Sequence, residues 1–317
     1  MLKHFLRSKA PIRAVAVLAA LASGLVLPPA AQAVRPGRNG RVAYLKTFTG
    51  PNFDVVIYDG RYNHATESHD FLDRVTWCGR DTVVTVRAGV GIVAIPIDDV
   101  ENLGTPFTIF DDPGNRFSDP ACNSAGTRVA LADSMGGQIV TIPVSGRTGL
   151  TAPVASTALG GTLHEPTWSS DDRYIAYEDR VTSGSVIEVA PVSRRFTGSG
   201  TIVTPATAEL RHGPSWREDT IYYWKEAAGG PSLGIFSVRL GDLNEFGPYG
   251  GTSTEHCVDP AALPDGSGFL CVGGSGSFIK RFPGPVTLIG TDSHKPDVER
   301  LSEEHHHDEH HHCHCKS

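Results

Sequence analysis

The sequence has little positive charge, no long amphipathic helical pattern and, beyond residue 27, no apolar run long enough to cross a membrane. Its 28 Lys and Arg residues are outnumbered by 35 Asp and Glu residues, and the formal net charge is −7. Phosphate backbones are bound by clustered Lys and Arg, so this composition predicts no nucleic-acid partner. The lack of a second long apolar run predicts a mature chain without a membrane span.

The N-terminus has the three parts of a secretory signal peptide. Four basic residues, Lys3, Arg7, Lys9 and Arg13, precede an apolar stretch at 14–27, and Ala-Gln-Ala follows at 31–33. The apolar stretch is too short to span about 30 Å of hydrocarbon at 1.5 Å per residue. We therefore predict a Sec-type signal peptide over 1–33 and a secreted or extracytoplasmic protein, in a compartment where disulfides persist.

Glycine and proline, both unfavourable inside helices, are abundant, with 35 and 22 copies. Between them lie short β-branched and aromatic runs such as RVAYLK, DVVIYD, TVVTVR, QIVTIPV and IYYWK. Many short runs of this kind, separated by turn residues, are typical of an all-β chain.

A repeat of about forty-six residues organises these runs. Aligning the chain on a proline before a turn and an apolar strand places Pro120, Pro166, Pro214 and Pro260 at spacings of 46, 48 and 46. Val75 occupies the same place 45 residues before Pro120. The pattern gives six units, five complete and one, at 39–60, lacking its first strand. Four short strands per unit at this period predict a six-bladed β-propeller over 34–292, followed by a flexible tail over 293–317.

The repeat resembles that of a known family. PTWSSDDRYIAY, PSWREDTIYYW and DPAALPDGSGFLCV are similar to the P-x-W-S-P-D-G-x-x-I-A-Y repeat of TolB-like six-bladed propellers. The resemblance covers roughly 36–290, and no unit has an intact WSPDG. It implies the propeller fold and leaves the function open, because propellers include binding modules, lactonases and lyases. The tryptophans of the repeat, Trp77, Trp168 and Trp216, are expected to pack between blades.

The first strands of the units should line a central channel. Two residues before the aligned position stand Asp73, Ser118, His164, His212 and Val258, with His256 on the same strand face as Val258. The next position holds Arg74, Asp119, Glu165, Gly213 and Asp259. His164, His212 and His256 are a candidate channel metal site or source of a general base. Alternatively, these histidines only bond to backbone or water.

Four of the six cysteines fall within the predicted propeller. Cys78 and Cys122 lie on the first strands of adjacent units, and Cys257 and Cys271 on the first two strands of the last unit. Strands about 4.8 Å apart are within disulfide reach, so we predict the bridges Cys78–Cys122 and Cys257–Cys271. The alternative is buried free thiols.

The C-terminus, EEHHHDEHHHCHCKS at 303–317, has the composition of a metal-binding segment. Its candidate ligands are His305, His306, His307, His310, His311, His312, Cys313, His314 and Cys315. Imidazole with thiolate suits Zn, Cu or Ni. An inert polar terminus is the alternative.

Together these features predict a secreted, non-enzymatic propeller scaffold whose tail captures or buffers transition metal. Its partners would be metal ions and a protein or peptide at the propeller face. The sequence has no G-x-S-x-G, H-E-x-x-H or phosphate-loop motif. Two alternatives remain: an extracytoplasmic lyase or lactone hydrolase with a metal in the channel, and a plain interaction scaffold whose tail is incidental.

Overall fold

The computed structural model describes most of the chain between residues 38 and 301. The described ranges are 38–47, 52–59, 63–66, 70–97, 103–145, 153–156, 161–182, 184–192, 200–205, 207–242, 244–249, 258–273, 276–281, 286–290 and 293–301. The predicted signal peptide, with its cleavage site after Ala33, lies outside them, as do His256, Cys257 and the candidate metal ligands at 305–315.

The described residues form 24 β-strands and no helix, and so include no helix that could span a membrane. The strands make six antiparallel four-stranded sheets. Five sheets consist of four consecutive strands each. They are β4 (Thr76–Trp77), β5 (Thr82–Arg87), β6 (Gly91–Pro96) and β7 (Phe107–Asp111); β8 (Phe117–Cys122), β9 (Arg128–Asp133), β10 (Gln138–Pro143) and β11 (Ala155–Ser156); β12 (Thr162–Trp168), β13 (Tyr174–Val181), β14 (Gly184–Pro191) and β15 (Thr201–Ile202); β16 (Leu210–Arg217), β17 (Thr220–Glu226), β18 (Ser232–Arg239) and β19 (Glu245–Tyr249); and β20 (Val258–Ala262), β21 (Gly268–Gly273), β22 (Gly276–Arg281) and β23 (Val286–Gly290).

The sixth sheet joins the two ends of the described chain. It contains β1 (Arg38–Thr47), β2 (Phe53–Tyr58), β3 (Asn63–Ala65) and the last strand, β24 (Ser293–Leu301), in the order β24-β1-β2-β3. The unit that lacked a first strand in the sequence repeat is therefore completed from the C-terminal side. The predicted tail boundary at 293 needs correction, because residues 293–301 pair with β1 from Arg38 to Lys46.

The six sheets are the blades of a β-propeller, as predicted. We number them one to six in chain order, blade one being β1–β3 with β24. The first strand of each blade contacts the first strand of the next, β4 to β8, β8 to β12, β12 to β16 and β16 to β20, and β24 then contacts both β20 and β4. This circle of contacts closes the ring, so the first strand of no blade is left without a neighbour.

Apolar side chains fill the space between neighbouring blades. Trp77 packs with Ala43, Leu45 and Ile57 of blade one, and Trp216 packs with Ile187 of blade four. Trp168 packs with Ala130 of blade three and donates its indole N–H to the carbonyl of Ala121 at 2.9 Å. The predicted position of the repeat tryptophans between blades is confirmed.

A β-bulge at the repeat proline bends five of the six first strands. In β12 the register moves from His164 to Thr167, so Glu165 and Pro166 together oppose one residue of β13. The same shift occurs in β8, β16, β20 and β24. Proline has no N–H to donate to a ladder, and a bulge is a place where it is tolerated. The bulge also turns the residue before the proline out of the regular alternation.

Cys78 and Cys122 form a disulfide between blades two and three, with Cα atoms 5.3 Å apart, as predicted. Cys271 is also disulfide-bonded. The predicted partner Cys257 is outside the described residues, so that pairing stays a prediction.

Candidate functional site

The residues that precede Val75 and the five prolines aligned with it converge in the channel. They are Arg74, Asp119, Glu165, Gly213, Asp259 and Lys295, one from each blade, and we call them the channel ring. Five have positive φ: Asp119, Glu165, Gly213, Asp259 and Lys295, at 44° to 57°. For a residue other than glycine this conformation costs about 1–3 kcal/mol, and such residues cluster at functional sites. The bulges therefore hold charged side chains at the channel at a cost in backbone energy.

Carboxylates in the channel bond to the backbone of the following blade. The Asp73 carboxylate accepts the Asp119 N–H at 2.6 Å, and the Asp119 carboxylate accepts the Glu165 N–H at 3.3 Å. The Glu165 carboxylate accepts the Gly213 N–H in turn. This series links blades two to five through residues 46 to 48 positions apart.

Lys295 crosses the channel from β24. Its Nζ lies 3.0 Å from Asp73 Oδ1, 3.1 Å from Asp119 Oδ1 and 3.9 Å from Glu165 Oε1. Burial alone would lower the pKa of Lys295, but the carboxylates of Asp119, Asp73 and Glu165 outweigh it and hold that pKa above its usual value. Lys295 is thus the ammonium counterion of acids from three other blades.

The pKa values of two channel carboxyl groups, Glu165 and Asp119, are shifted in opposite directions. Burial raises the pKa of Glu165 to about 7, the charges of Asp119 and Asp259 add to this effect, and Lys295 opposes it. Burial also opposes ionisation of Asp119, but Lys295, the nearby imidazole of His164 and the charge of Arg74 hold the pKa of Asp119 well below its usual value. Of these two carboxyl groups, Glu165 is the one that titrates near neutral pH.

A second cluster adjoins Glu165. His212 is buried, with its Nδ1 3.0 Å from Glu178 Oε1. Arg180 donates to both Glu178 oxygens at 2.6 and 3.0 Å and lies 3.1 Å from His212 Nδ1. Glu178 is buried, yet its hydrogen bonds with His212 and Arg180 bring its pKa below the usual value. The His212 ring stacks on Trp224, with centroids 4.3 Å apart.

Glu165, Glu178 and His212 are close enough to share a metal ion, since each offers a donor atom within 4.8 Å of the others. The surrounding contacts do not fit that use. Arg180 already neutralises Glu178 with two hydrogen bonds, and Lys295 lies beside Glu165. A metal ion would meet two resident cations here, so we assign no metal to this cluster.

The two described channel histidines, His164 and His212, have different partners. His164 Nε2 is 2.9 Å from Thr162 Oγ1, and its Nδ1 is 3.9 Å from Asp119 Oδ2. His212 instead belongs to the cluster with Glu178. His256 lies outside the described residues, so the three-histidine site is untested as a set. His294, which precedes Lys295 of the channel ring, is part of β24 opposite Leu45.

Sequence reasoning missed Lys295, Glu178 and Arg180. A signal existed for Lys295: His294-Lys295-Pro296 repeats the pattern of His-Glu-Pro at 164–166 and His-Gly-Pro at 212–214. Pro296 lies 36 residues after Pro260, which is shorter than the repeat period, so the alignment on the repeat proline did not include it. Glu178 and Arg180 lie at the end of the YIAYEDR strand, and no motif marks them.

A funnel of about 250 Å³ opens on the channel. The repeat prolines Pro120, Pro166, Pro214 and Pro296 line it, with Trp77 and Arg80. Arg74 of the channel ring reaches it too. Among the described residues, no carboxylate lies within salt-bridge distance of the Arg74 guanidinium. Burial opposes the charge of Arg74, but the carboxylates of Glu165, Asp119, Asp259 and Asp297 hold its pKa above the usual value. The funnel is therefore a concave surface of mixed polarity, with an Arg74 guanidinium that the channel acids stabilise.

Comparison with known proteins places the fold. No family model matches the sequence, and no curated protein is significantly similar to it. TolB from Acinetobacter baumannii is 15% identical with a TM-score of 0.62, over 82% of this chain and 66% of that chain. A nidogen/laminin complex is 10% identical with a TM-score of 0.62, over 83% and 98%. A putative TolB from Agrobacterium tumefaciens is 15% identical with a TM-score of 0.51, over 84% and 88%. The chain has a TolB-like β-propeller fold.

Proposed function

We propose that this chain is a secreted, non-enzymatic binding protein whose funnel holds a segment of a partner protein and whose C-terminal His/Cys segment captures transition metal. The observation that favours it is the funnel: a concave surface on which proline and tryptophan side chains lie beside polar groups that include Arg74, Arg80 and Asp297. Concave sites that combine apolar side chains with a few placed polar groups are the usual place for ligands. The nidogen/laminin structure is itself a complex between two proteins.

Secretion is supported by the N-terminal pattern and by the disulfide between Cys78 and Cys122, since disulfides persist in oxidising compartments. N-terminal sequencing of the secreted protein should begin at Val34. A start before Arg13 or after Gly40 would contradict the predicted cleavage.

Partner binding can be tested by placing a photo-crosslinking amino acid at Arg80, which is exposed at the funnel. The control position is Ile202, which is exposed on β15, away from the funnel lining. In the secreting cells, the Arg80 position should give a specific crosslinked product that Ile202 does not. Equal products from both positions would argue against the funnel as the binding surface.

Metal capture is tested by titrating Zn(II), Ni(II) and Cu(I) into the full chain and into a chain that ends at Leu301. The end point keeps β24, which an end at Lys295 would cut. We expect the shorter chain to lose the binding, and Cys313→Ser with Cys315→Ser to lose the preference for Cu(I) while keeping Ni(II). Binding should weaken as pH falls through about 6.5, because neutral imidazole is the ligand form. Equal metal stoichiometry in the full chain and the shorter chain would contradict the proposed C-terminal metal site.

The enzyme alternative has one favourable observation, the Glu165 carboxyl with a pKa of about 7, which suits acid–base chemistry near neutral pH. Its test is turnover of lactone and uronate-glycan substrates by the full chain, Glu165→Gln and the double variant His164→Ala, His212→Ala. Activity that disappears in the variants while the melting temperature is kept would favour the enzyme. No turnover by the parent chain would favour the binding protein.

A further inference from the structure

The ammonium group of Lys295 occupies a place built from three carboxylates on other blades. Asp73 and Asp119 lie at 3.0 and 3.1 Å and Glu165 at 3.9 Å. The three acids come from blades two, three and four, whereas Lys295 comes from β24 of blade one.

Negative groups exceed positive ones around this point. The channel ring contributes two cations, Arg74 and Lys295, and three acids, Asp119, Glu165 and Asp259; Asp73 adds a fourth acid. The pKa of Glu165, raised to about 7, shows the same excess, because a buried carboxyl among other acids retains its proton. In addition, the buried Nε2 of His212, in the cluster with Glu165, has no hydrogen-bond partner among the described residues. The acids at the channel therefore outnumber the cations of the channel ring.

We propose that Asp73, Asp119 and Glu165 form a cation site that Lys295 fills from within the chain, and that the site takes a divalent cation, Ca²⁺ by preference, when the ammonium is removed. In the native protein Lys295 excludes metal ions from the channel, so the ring closes without a bound metal ion. A metal captured by the C-terminal segment would then have no competitor in the propeller.

Calcium suits the vacated site better than magnesium. The carboxylates offer oxygen donors, which both ions prefer, around a group whose contacts are 3.0 to 3.9 Å long. Ca²⁺ binds oxygen at about 2.3–2.6 Å in variable geometry, whereas Mg²⁺ requires a near-ideal octahedron at about 2.0–2.1 Å. With three carboxylates, we expect weak binding, with a Kd on the order of 10⁻⁴ to 10⁻³ M, as in extracellular calcium modules.

The test uses the full chain with Lys295→Ala and a matched control, Lys225→Ala. Lys225 is likewise a lysine between two carboxylates, 2.7 Å from Glu209 and 2.9 Å from Glu245. Removing it leaves Arg211 bonded to Glu245 at 2.8 Å, so no vacant cation site arises. Calorimetric titration with CaCl₂ and melting curves with and without Ca²⁺ should show one added site and a melting temperature raised by several degrees in Lys295→Ala alone.

Adding Asp119→Asn to Lys295→Ala should abolish the calcium response. If Lys295→Ala does not fold in EDTA, its refolding in Ca²⁺ supports the proposal. If it folds in neither condition, Lys295→Gln is titrated instead. A folded Lys295 variant with no calcium response, an equal response in Lys225→Ala, or a parent chain whose calcium response disappears with Asp119→Asn would overturn it.

Discussion

The carboxylate of Asp297 accepts hydrogen bonds from the Thr76 hydroxyl at 3.0 Å and the Trp77 N–H at 2.9 Å, although more than two hundred residues separate them. Asp297 belongs to β24 of blade one and the two donors to β4 of blade two. The ring is thus closed by the β1–β24 ladder within blade one and by this carboxylate between blades. The side-chain contact can be removed while the ladder is kept.

Asp297→Ala should lower the free energy of unfolding by about 1.5–3 kcal/mol, because two donors lose a charged acceptor. Urea unfolding measures the change. Asp111→Ala, at an exposed position on β7, is the control and should stay within about 0.5 kcal/mol of the parent chain. Equal effects of the two substitutions would show that the contact contributes nothing to closure.

Two truncations should behave oppositely. A chain ending at Leu301 keeps β24 and should unfold cooperatively near the parent melting temperature. A chain ending at 292 leaves β1 without its partner from Arg38 to Lys46 and removes Lys295, so we expect loss of cooperative unfolding or aggregation. Circular dichroism melting and gel filtration distinguish these results. A stable, monomeric chain ending at 292 would contradict the closure.

Glu165 should make the propeller less stable as pH rises. Its pKa is raised from 4.5 to about 7 in the folded state, so between these values the folded chain holds a proton that the unfolded chain releases. Stability therefore falls with pH over that range, by about 3 kcal/mol in total at 1.36 kcal/mol per unit.

Glu165→Gln keeps an oxygen for the Gly213 N–H and removes the titration. Relative to the parent chain, its unfolding free energy should increase from pH 4.5 to pH 8 by up to about 3 kcal/mol. Glu218→Gln, on an exposed turn, is the control and should show no such trend. A difference between Glu165→Gln and the parent that is constant with pH would rule out the raised pKa.

The disulfide between blades two and three should be a major stabilising link. Cys78 and Cys122 are separated by 44 residues, and a closed loop of that length is worth about 4 kcal/mol on the chain-entropy model. The double variant Cys78→Ala, Cys122→Ala should lose stability of this order in guanidinium unfolding. Non-reducing peptide mapping of the parent should recover the linked peptides, and alkylation of both thiols without reduction would disprove the bridge.

The repeat proline was enough to predict the propeller, because blade period and strand pattern are local properties of the sequence. The alignment on this proline also predicted that Asp119, Glu165 and Asp259 lie at the same level of the channel. The closing strand β24 was missed for two reasons. Its proline lies closer to Pro260 than the repeat period predicts, and the strand leads directly into the His-rich segment. Lys295 was missed with it.

The cluster of His212, Glu178 and Arg180 could not be read from the sequence for a different reason. Glu178 pairs with His164 inside blade four, yet its ion pair is with His212 of blade five. Which residue of a second strand meets the next blade depends on the angle between blades, and repeat spacing does not contain that angle. The same holds for the approach of Lys295 to Asp73 across the channel.

Gly213 is the uncharged member of the channel ring and offers a test of the bulge itself. Its φ is +57°, and a Cβ there would lie 3.4 Å from Asp259 Cα and Trp224 Cδ1, ordinary contact distances. Gly213→Ala should therefore cost only the backbone strain, about 1 kcal/mol. Gly229→Ala is the matched control, because Gly229 has φ +66° in an exposed turn with nothing within 4 Å of the added carbon. Similar losses in urea unfolding would show that the bulge is spacious at blade five, whereas a much larger loss at Gly213 would show that the channel ring does not tolerate even one methyl group there.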